Sequence, residues 1–120
     1  MTKGFNPIDG KDDTMTTLVI HSPDYRVRGG AKSFEAILKD GVGVGYAIFQ
    51  KDINKPTIGD KVILLRKDRR KKRAEGIFIK FEPTDRYTAQ GIRRYDVYIK
   101  GLIEIPYKSE PLNRFGVGIL

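Results

Sequence analysis

The sequence predicts a mainly β protein (α+β), folded as a small β-barrel of five or six strands with one or two short helices. Two patterns predict this class. Apolar and polar side chains alternate along residues 95–107, as they do in a long β-strand, whereas a helical spacing is confined to residues 31–39. Turn signals rich in glycine and proline separate the remaining apolar runs, which is typical of small barrels.

The first predicted strand covers residues 16–21 and ends at the turn signal Ser22-Pro23-Asp24. In the predicted helix, residues 31–39, three apolar side chains fall on one face, and Gly41 follows as a left-handed cap. These side chains are Phe34, Ile37 and Leu38.

Two strands are predicted next. In residues 41–50 a period of two places alternate side chains on one face, and the other face is nearly bare of side chains. The face that carries the side chains holds Val42, Val44, Tyr46 and Ile48. Residues 61–66, KVILLR, are apolar on both faces, which predicts a central strand.

The last strands follow a basic loop. In residues 76–83 the side chains of Ile77, Ile79 and Phe81 are predicted to share a face, and residues 84–91 are predicted to form a loop. Residues 95–107 form one extended strand or two joined at a bend, with Gly101 as the kink of a barrel wall.

The length of 120 residues and the apolar content of 39% suit one domain. Residues 1–15 have no period and are predicted to form a flexible tail, which leaves residues 16–120 as the single domain. No apolar stretch reaches the roughly 18 residues of a membrane span, and the polar start contains Pro7 and resembles no signal peptide. We therefore expect a soluble, cytoplasmic protein with no membrane partner, and a monomer is assumed.

Residue types exclude several chemistries. The chain has no cysteine and one histidine, so disulfides, thiolate zinc sites and HExxH centres are excluded. Asp9, Asp12 and Asp13 lack the spacing of a calcium loop. No nucleophile elbow or paired carboxylates stand out. We predict no metal, no cofactor, no catalytic residue and no enzymatic activity.

The distribution of charge points to the partner. Residues 61–100 hold 13 basic and five acidic residues, a balance of +8, and the other 80 residues hold ten of each. The whole net charge of +8 therefore lies in one third of the chain. A localised positive field is typical of a protein that binds a polyanion.

The strongest basic motif is RKDRRKKR, residues 66–73, with seven positive charges in eight residues. It lies between two predicted strands, so we expect it at a hairpin tip in contact with phosphates. A solvated polar loop and a nuclear targeting patch are the alternatives. The predicted nucleic-acid-binding residues are Arg66, Lys67, Arg69, Arg70, Lys71, Lys72, Arg73, Arg93 and Arg94.

Three tyrosines stand beside basic residues rather than on apolar faces: Tyr25, Tyr87 and Tyr98. An aromatic ring next to arginine or lysine is what base stacking with a nearby phosphate contact requires. The alternative is ordinary barrel packing with the hydroxyl at the rim.

With these elements in order, the chain resembles a PUA-like domain, of the EVE or ASCH type. Three stretches carry the resemblance: LVIHSPDYR (18–26), KPTIGDKVILL (55–65) and AEGIFIKFEPT (74–84). The resemblance implies a barrel that binds RNA or a modified base in a pocket between the first strand's turn, the helix and the barrel. The pocket candidates are His21, Ser22, Tyr25, Arg26 and Tyr98.

Residues and resemblance together predict a nucleic-acid-binding module, with RNA favoured over DNA. Two alternatives stay open. Some PUA-like branches resemble small ribonucleases, and Ser22, Tyr25, Lys32 or an arginine would then position phosphate and water. A protein-interaction barrel is the other, and the basic segment would then be incidental.

Overall fold

A computed structural model describes residues 16–22, 33–66, 71–110 and 117–120. The predicted tail, residues 1–15, lies outside this part. The strands are β1 (Thr17–His21), β2 (Val42–Ala47), β3 (Lys61–Arg66), β4 (Lys72–Tyr87), β5 (Arg93–Ile105) and β6 (Val117–Ile119). One α-helix, α1 (Phe34–Asp40), and one 3-10 turn (Gln50–Asp52) accompany them. The prediction of a mainly β fold with five or six strands and one or two short helices is confirmed.

The six strands form one curled sheet, a half-barrel, in the order β2-β5-β4-β3-β1-β6. All neighbours are antiparallel except β1 and β3, which run parallel. Every residue of β3 except Lys61 is buried, and β1 and β4 flank the strand. The prediction that residues 61–66 form a central strand is therefore confirmed.

Helix α1 begins and ends at residues suited to caps. The Ser33 hydroxyl accepts a hydrogen bond from the Ala36 N–H at 3.2 Å, and this satisfies one free donor of the first turn. Gly41 follows the helix with a φ of 74°, and its N–H donates to the Ile37 carbonyl, as predicted for a left-handed cap. In the described part of the chain, no helix is long and apolar enough to cross a membrane.

The sheet is buried on two faces. The larger apolar cluster lies on the face that α1 covers, here the inner face, and includes Phe34 and Ile37 of the helix with Leu18 and Leu64 of the sheet. The next residues along β1 and β3 point to the opposite, outer face. There the second cluster consists of Val19, Ile63 and Leu65, with Tyr107 packed against it. Burial on both sides explains why β1 and β3 are continuous apolar runs.

The predicted faces of β2 are wrong because the strand contains a bulge. Gly43 pairs with Val97 and Tyr46 with Tyr95, so β2 has one residue more than β5 over this stretch. Gly45, inside the bulge, has a φ of 78°, a conformation that glycine adopts without strain. As a result Gly43 and Tyr46 share the inner face.

The predicted faces of residues 76–83 are also wrong. Phe78 is buried, and Ile77 is 42% exposed on the outer face. A register shift between Phe78 and Lys80 brings Phe81 back to the inner face. There the centres of the Phe81 and Phe78 rings are 4.9 Å apart. The strand also continues through Tyr87, so most of the predicted loop 84–91 is strand and a short turn.

The long strand β5 confirms the prediction for Gly101. Tyr95, Val97 and Ile99 are buried on the inner face. Gly101 then has a φ of 65°, and beyond it the alternation inverts, since Ile103 is 67% exposed. Glu75 pairs with Ile103 and Ile77 with Lys100, so the glycine lies at a bulge, which bends one continuous strand.

Candidate nucleic-acid interface

The β3–β4 hairpin is confirmed, but its tip is narrower than the basic motif. The strand ladder extends to the pair Arg66 and Lys72, so these two residues and Arg73 belong to strands. The predicted contacts Lys67, Arg69 and Arg70 lie outside the described residues. Lys71, immediately before β4, is exposed, and its ammonium lies 6.0 Å from the centre of the Tyr107 ring.

Two cations of the motif bind the helix. The Lys72 ammonium lies 2.8 Å from a Glu35 carboxylate oxygen, and an Arg66 guanidinium nitrogen lies 3.4 Å from the same atom. The hydrogen bond from Lys72 lowers the pKa of the Glu35 carboxyl, with the positive charges of Lys72 and Arg66 acting in the same direction. Arg66 is buried, and its ion pair with Glu35 joins the hairpin to α1.

Arg73 is also internal, because its side chain is 5% exposed and bonded to three oxygens. Its guanidinium donates to Glu75 at 2.6 Å, and to Glu110 and the Lys108 carbonyl at 2.8 Å each. These bonds hold the segment after β5 against the outer face, next to Tyr107 and its cluster. The placement of Arg66 and Arg73 therefore lends no support to their predicted role as phosphate contacts.

The Glu75 carboxylate is expected to stabilise the fold at neutral pH and to lose that effect in acid. The hydrogen bond from Arg73 lowers the pKa of Glu75 below its ordinary value of 4.5. The stabilisation is thus fully present above pH 4.5 and disappears as the pH falls through the folded-state value. Glu75→Gln should lower the free energy of unfolding by roughly 1 kcal/mol at neutral pH.

Urea titrations of the wild type and Glu75→Gln at several pH values between about 7 and 3 measure this effect. The difference between the two proteins should shrink toward the acid end, because the wild-type carboxyl becomes protonated there. A difference that is constant with pH would contradict the assignment.

The predicted base pocket beside the first strand is not assembled by its described members. Ser22 is fully buried, and its hydroxyl donates to the Leu65 carbonyl at 3.3 Å. Tyr98 lies on β5, and two strands separate it from β1 and His21. Tyr25 and Arg26 lie outside the described residues. The role of these five residues in a pocket stays a prediction.

Two cation–tyrosine pairs lie on the ribbon that β4 and β5 form. The Lys80 ammonium lies 5.0 Å from the centre of the Tyr98 ring, and the Arg93 guanidinium lies 5.6 Å from the centre of the Tyr87 ring. Tyr87 is 55% exposed. Both distances are within the range of cation–π attraction, about 6 Å. Together with Lys71 and Tyr107, the chain has three such pairs between residues 71 and 107.

Of the two predicted arginines on β5, Arg94 is half-buried and Arg93 is exposed. Arg94 donates to the Gly45 carbonyl at 2.8 Å and so supports the β2 bulge. Arg93 is exposed, and its Nε donates to the Thr84 carbonyl at 2.7 Å. The remaining guanidinium nitrogens of Arg93 are thereby oriented beside Tyr87.

A cleft of about 320 Å³ opens at the β4–β5 turn. Ile48 and Tyr95, both buried, lie at its base, and Tyr87 and Arg93 lie at its edge. The other lining residues are Phe49, Gln50, Gly91 and Ile92. It is far from Ser22 of the predicted pocket. Ser22 bonds to Leu65, which pairs with Arg73 at one end of the 16-residue strand β4, whereas Tyr87 is at the other end.

Sequence reasoning identified Tyr87 and Arg93 separately but missed Phe49 and Gln50. The available signal was the triplet Phe49-Gln50-Lys51, an aromatic, an amide and a cation between a strand and a turn. The ammonium of Lys51 lies 6.0 Å from the centre of the Phe49 ring, so a second cation stands near the cleft.

Within the described residues, no group of three or more His, Asp and Glu side chains is placed to hold a metal ion. The likeness to PUA-like domains rests on the three sequence stretches alone. Comparisons with protein-family models, with curated proteins and with solved structures give no significant match to this chain.

Proposed function

We propose that the protein is a nucleic-acid-binding module, with single-stranded RNA favoured over duplex DNA. The observation that carries the proposal is the set of three cation–tyrosine pairs between residues 71 and 107. They lie within or next to the segment that holds the whole net positive charge of the chain.

The chemistry of each pair suits a single strand. A tyrosine ring offers a face on which any base can stack, and stacking contributes about 1–3 kcal/mol per base. The neighbouring cation attracts the phosphate that accompanies the base and makes affinity depend on salt. A duplex hides the base faces, so it would use the cations alone.

The phosphate contacts are assigned to the exposed cations of the ribbon, not to the buried ones. Lys80 and Lys100 are exposed on the outer face, where Lys80 pairs with Tyr98 and Lys100 with Ile77. Lys80 also forms an ion pair with Glu82 at 2.9 Å, but both side chains are about half exposed and such pairs contribute little. Phosphate can therefore compete for Lys80 at low cost.

One observation favours the protein-interaction alternative. Ile77 and Ile103 are 42% and 67% exposed on the outer face. Apolar side chains of this size on a surface are typical of interfaces when they form a patch. Lys61 and Lys100 flank Ile77 across the sheet, so the apolar surface is interrupted by charge. Within the described residues, which do not include Tyr25 and Lys32, no observation favours the ribonuclease alternative.

The double variant Lys80→Ser/Lys100→Ser tests the proposal. We expect weaker binding of labelled single-stranded RNA for every sequence tried, with a log–log salt slope smaller by about 1.4, because each lost phosphate contact removes about 0.7 on single strands. Fluorescence anisotropy at several salt concentrations measures both quantities.

The matched control is Lys39→Ser/Lys55→Ser, which removes the same charge. Lys39 is on α1, on the inner side of the sheet, and Lys55 is in a turn beside Asp52. We expect the control to keep the wild-type slope. Equal slopes for the two double variants, or no binding by the wild type, would contradict the proposed function.

A further inference from the structure

We propose that the cleft at the β4–β5 turn receives one base of a bound single strand, with Tyr87 as the stacking surface, Gln50 at the base edge and Arg93 at the phosphate. The proposal rests on the proposed function and adds to it the place where a base is recognised. It differs from the pocket that the sequence resemblance implies, which lies beside the first strand.

The size and lining of the cleft suit a single heterocycle. Its volume of about 320 Å³ is at the lower end of the range of small-ligand sites, about 300–1,000 Å³. The base of the cleft is apolar, with Ile48 3% and Tyr95 8% exposed. Polar side chains occur at the edge. An apolar base with a few polar groups is the usual composition of such sites.

The backbone that carries Tyr87 is held in place before any ligand arrives. Tyr87 and Arg93 are paired residues of β4 and β5, and the turn between them is closed by two bonds. The Thr88 N–H donates to the Ile92 carbonyl at 2.8 Å, and the Ile92 N–H donates to the Thr88 hydroxyl at 3.1 Å. A backbone that is already fixed loses little freedom on binding, and this favours affinity.

The edge of the cleft offers hydrogen bonds and positive charge. The Gln50 amide, on an exposed residue, can both donate and accept, as recognition of a base edge requires. Arg93 keeps its terminal nitrogens for a phosphate, because the bond to Thr84 uses Nε. Lys51 adds a second cation next to Phe49. The cleft therefore combines a stacking face, an edge-reading amide and two cations.

The test compares Tyr87→Ala, Tyr87→Phe and Gln50→Ala in the full chain. The probes are labelled ten-nucleotide oligo(A) and oligo(U) RNA and a duplex RNA of the same length. We expect Tyr87→Ala to weaken single-strand binding about tenfold or more, and Tyr87→Phe to bind within about twofold of wild type. Gln50→Ala should weaken single-strand binding about two- to tenfold, because a hydrogen bond to the base edge is lost. Duplex binding should stay within about threefold for all three.

The outcomes separate this proposal from the proposed function. If Tyr87→Ala and Gln50→Ala bind single strands as the wild type does, while Lys80→Ser/Lys100→Ser reduces the salt slope, the cleft proposal is wrong and the proposed function stands. If Tyr87→Ala weakens single strands and duplex equally, the cleft proposal is also wrong. Gln50 is exposed, so its variant tests the cleft even if Tyr87→Ala lowers the melting temperature.

Discussion

Phe34→Ala is expected to lower the free energy of unfolding by about 3–5 kcal/mol, the usual cost of removing a buried aromatic side chain. Phe34 is 0% exposed, begins α1 and belongs to the inner-face cluster. The variant removes the ring that joins the helix to the sheet and leaves a cavity. Because domains are stable by only about 5–15 kcal/mol, much of the stability would be lost.

Urea unfolding followed by circular dichroism measures the loss. Leu38→Ala, on the same helix and only half-buried, is the matched control and should cost clearly less. A loss for Phe34→Ala no larger than that for Leu38→Ala would contradict the prediction that the buried ring joins the helix to the sheet.

Arg73→Ala is expected to cost about 3–5 kcal/mol, because removing one partner of a buried ion pair leaves the other charge uncompensated. The variant leaves two carboxylates, Glu75 and Glu110, and the Lys108 carbonyl without their common donor. It also releases the segment that Tyr107 anchors on the outer face. The side chains of Glu75 and Glu110 are 27% and 18% exposed, so water can replace the lost bonds only in part.

Arg73→Lys separates charge from geometry. A lysine keeps the positive charge but cannot reproduce the planar fork that reaches three oxygens, so we expect an intermediate loss. RNA binding of folded Arg73→Ala, measured at a temperature where it is native, should equal that of the wild type. Unchanged stability together with weaker RNA binding would contradict the structural role and support the phosphate contact predicted from the sequence.

The sequence predicted the elements that local patterns determine. Strand β3 was recognised because KVILLR is apolar on both faces, and α1 because its apolar spacing ends at Gly41. These signals lie within a few neighbouring residues, so no knowledge of the fold is needed to interpret them.

The rest depends on contacts between distant parts of the chain. A bulge in β2 changes which side chains share a face. It is supported from the distant strand β5, where the Asp96 carboxylate accepts from the Gly45 N–H at 3.0 Å. From the sequence alone, every cation of the basic motif could be solvated. The partners of Arg66 and Arg73, Glu35 and Glu110, are more than 30 residues away along the chain. The cleft likewise joins residues 48–50 to residues 87–95, which no local pattern connects.

The pairing of β1 has a consequence for the newly made chain on the ribosome. β1 pairs with β3 on one side and β6 on the other, so Leu18 meets Ile119 only after nearly the whole described sequence has been translated. At roughly 5–20 residues per second, the apolar residues of β1 wait several seconds or more for β6. During that interval the β3–β4 and β4–β5 hairpins, which join neighbouring segments, can already form. Even after β3 has paired with β1, the other edge of β1 therefore stays open until β6 emerges, and chaperones would be expected to cover it.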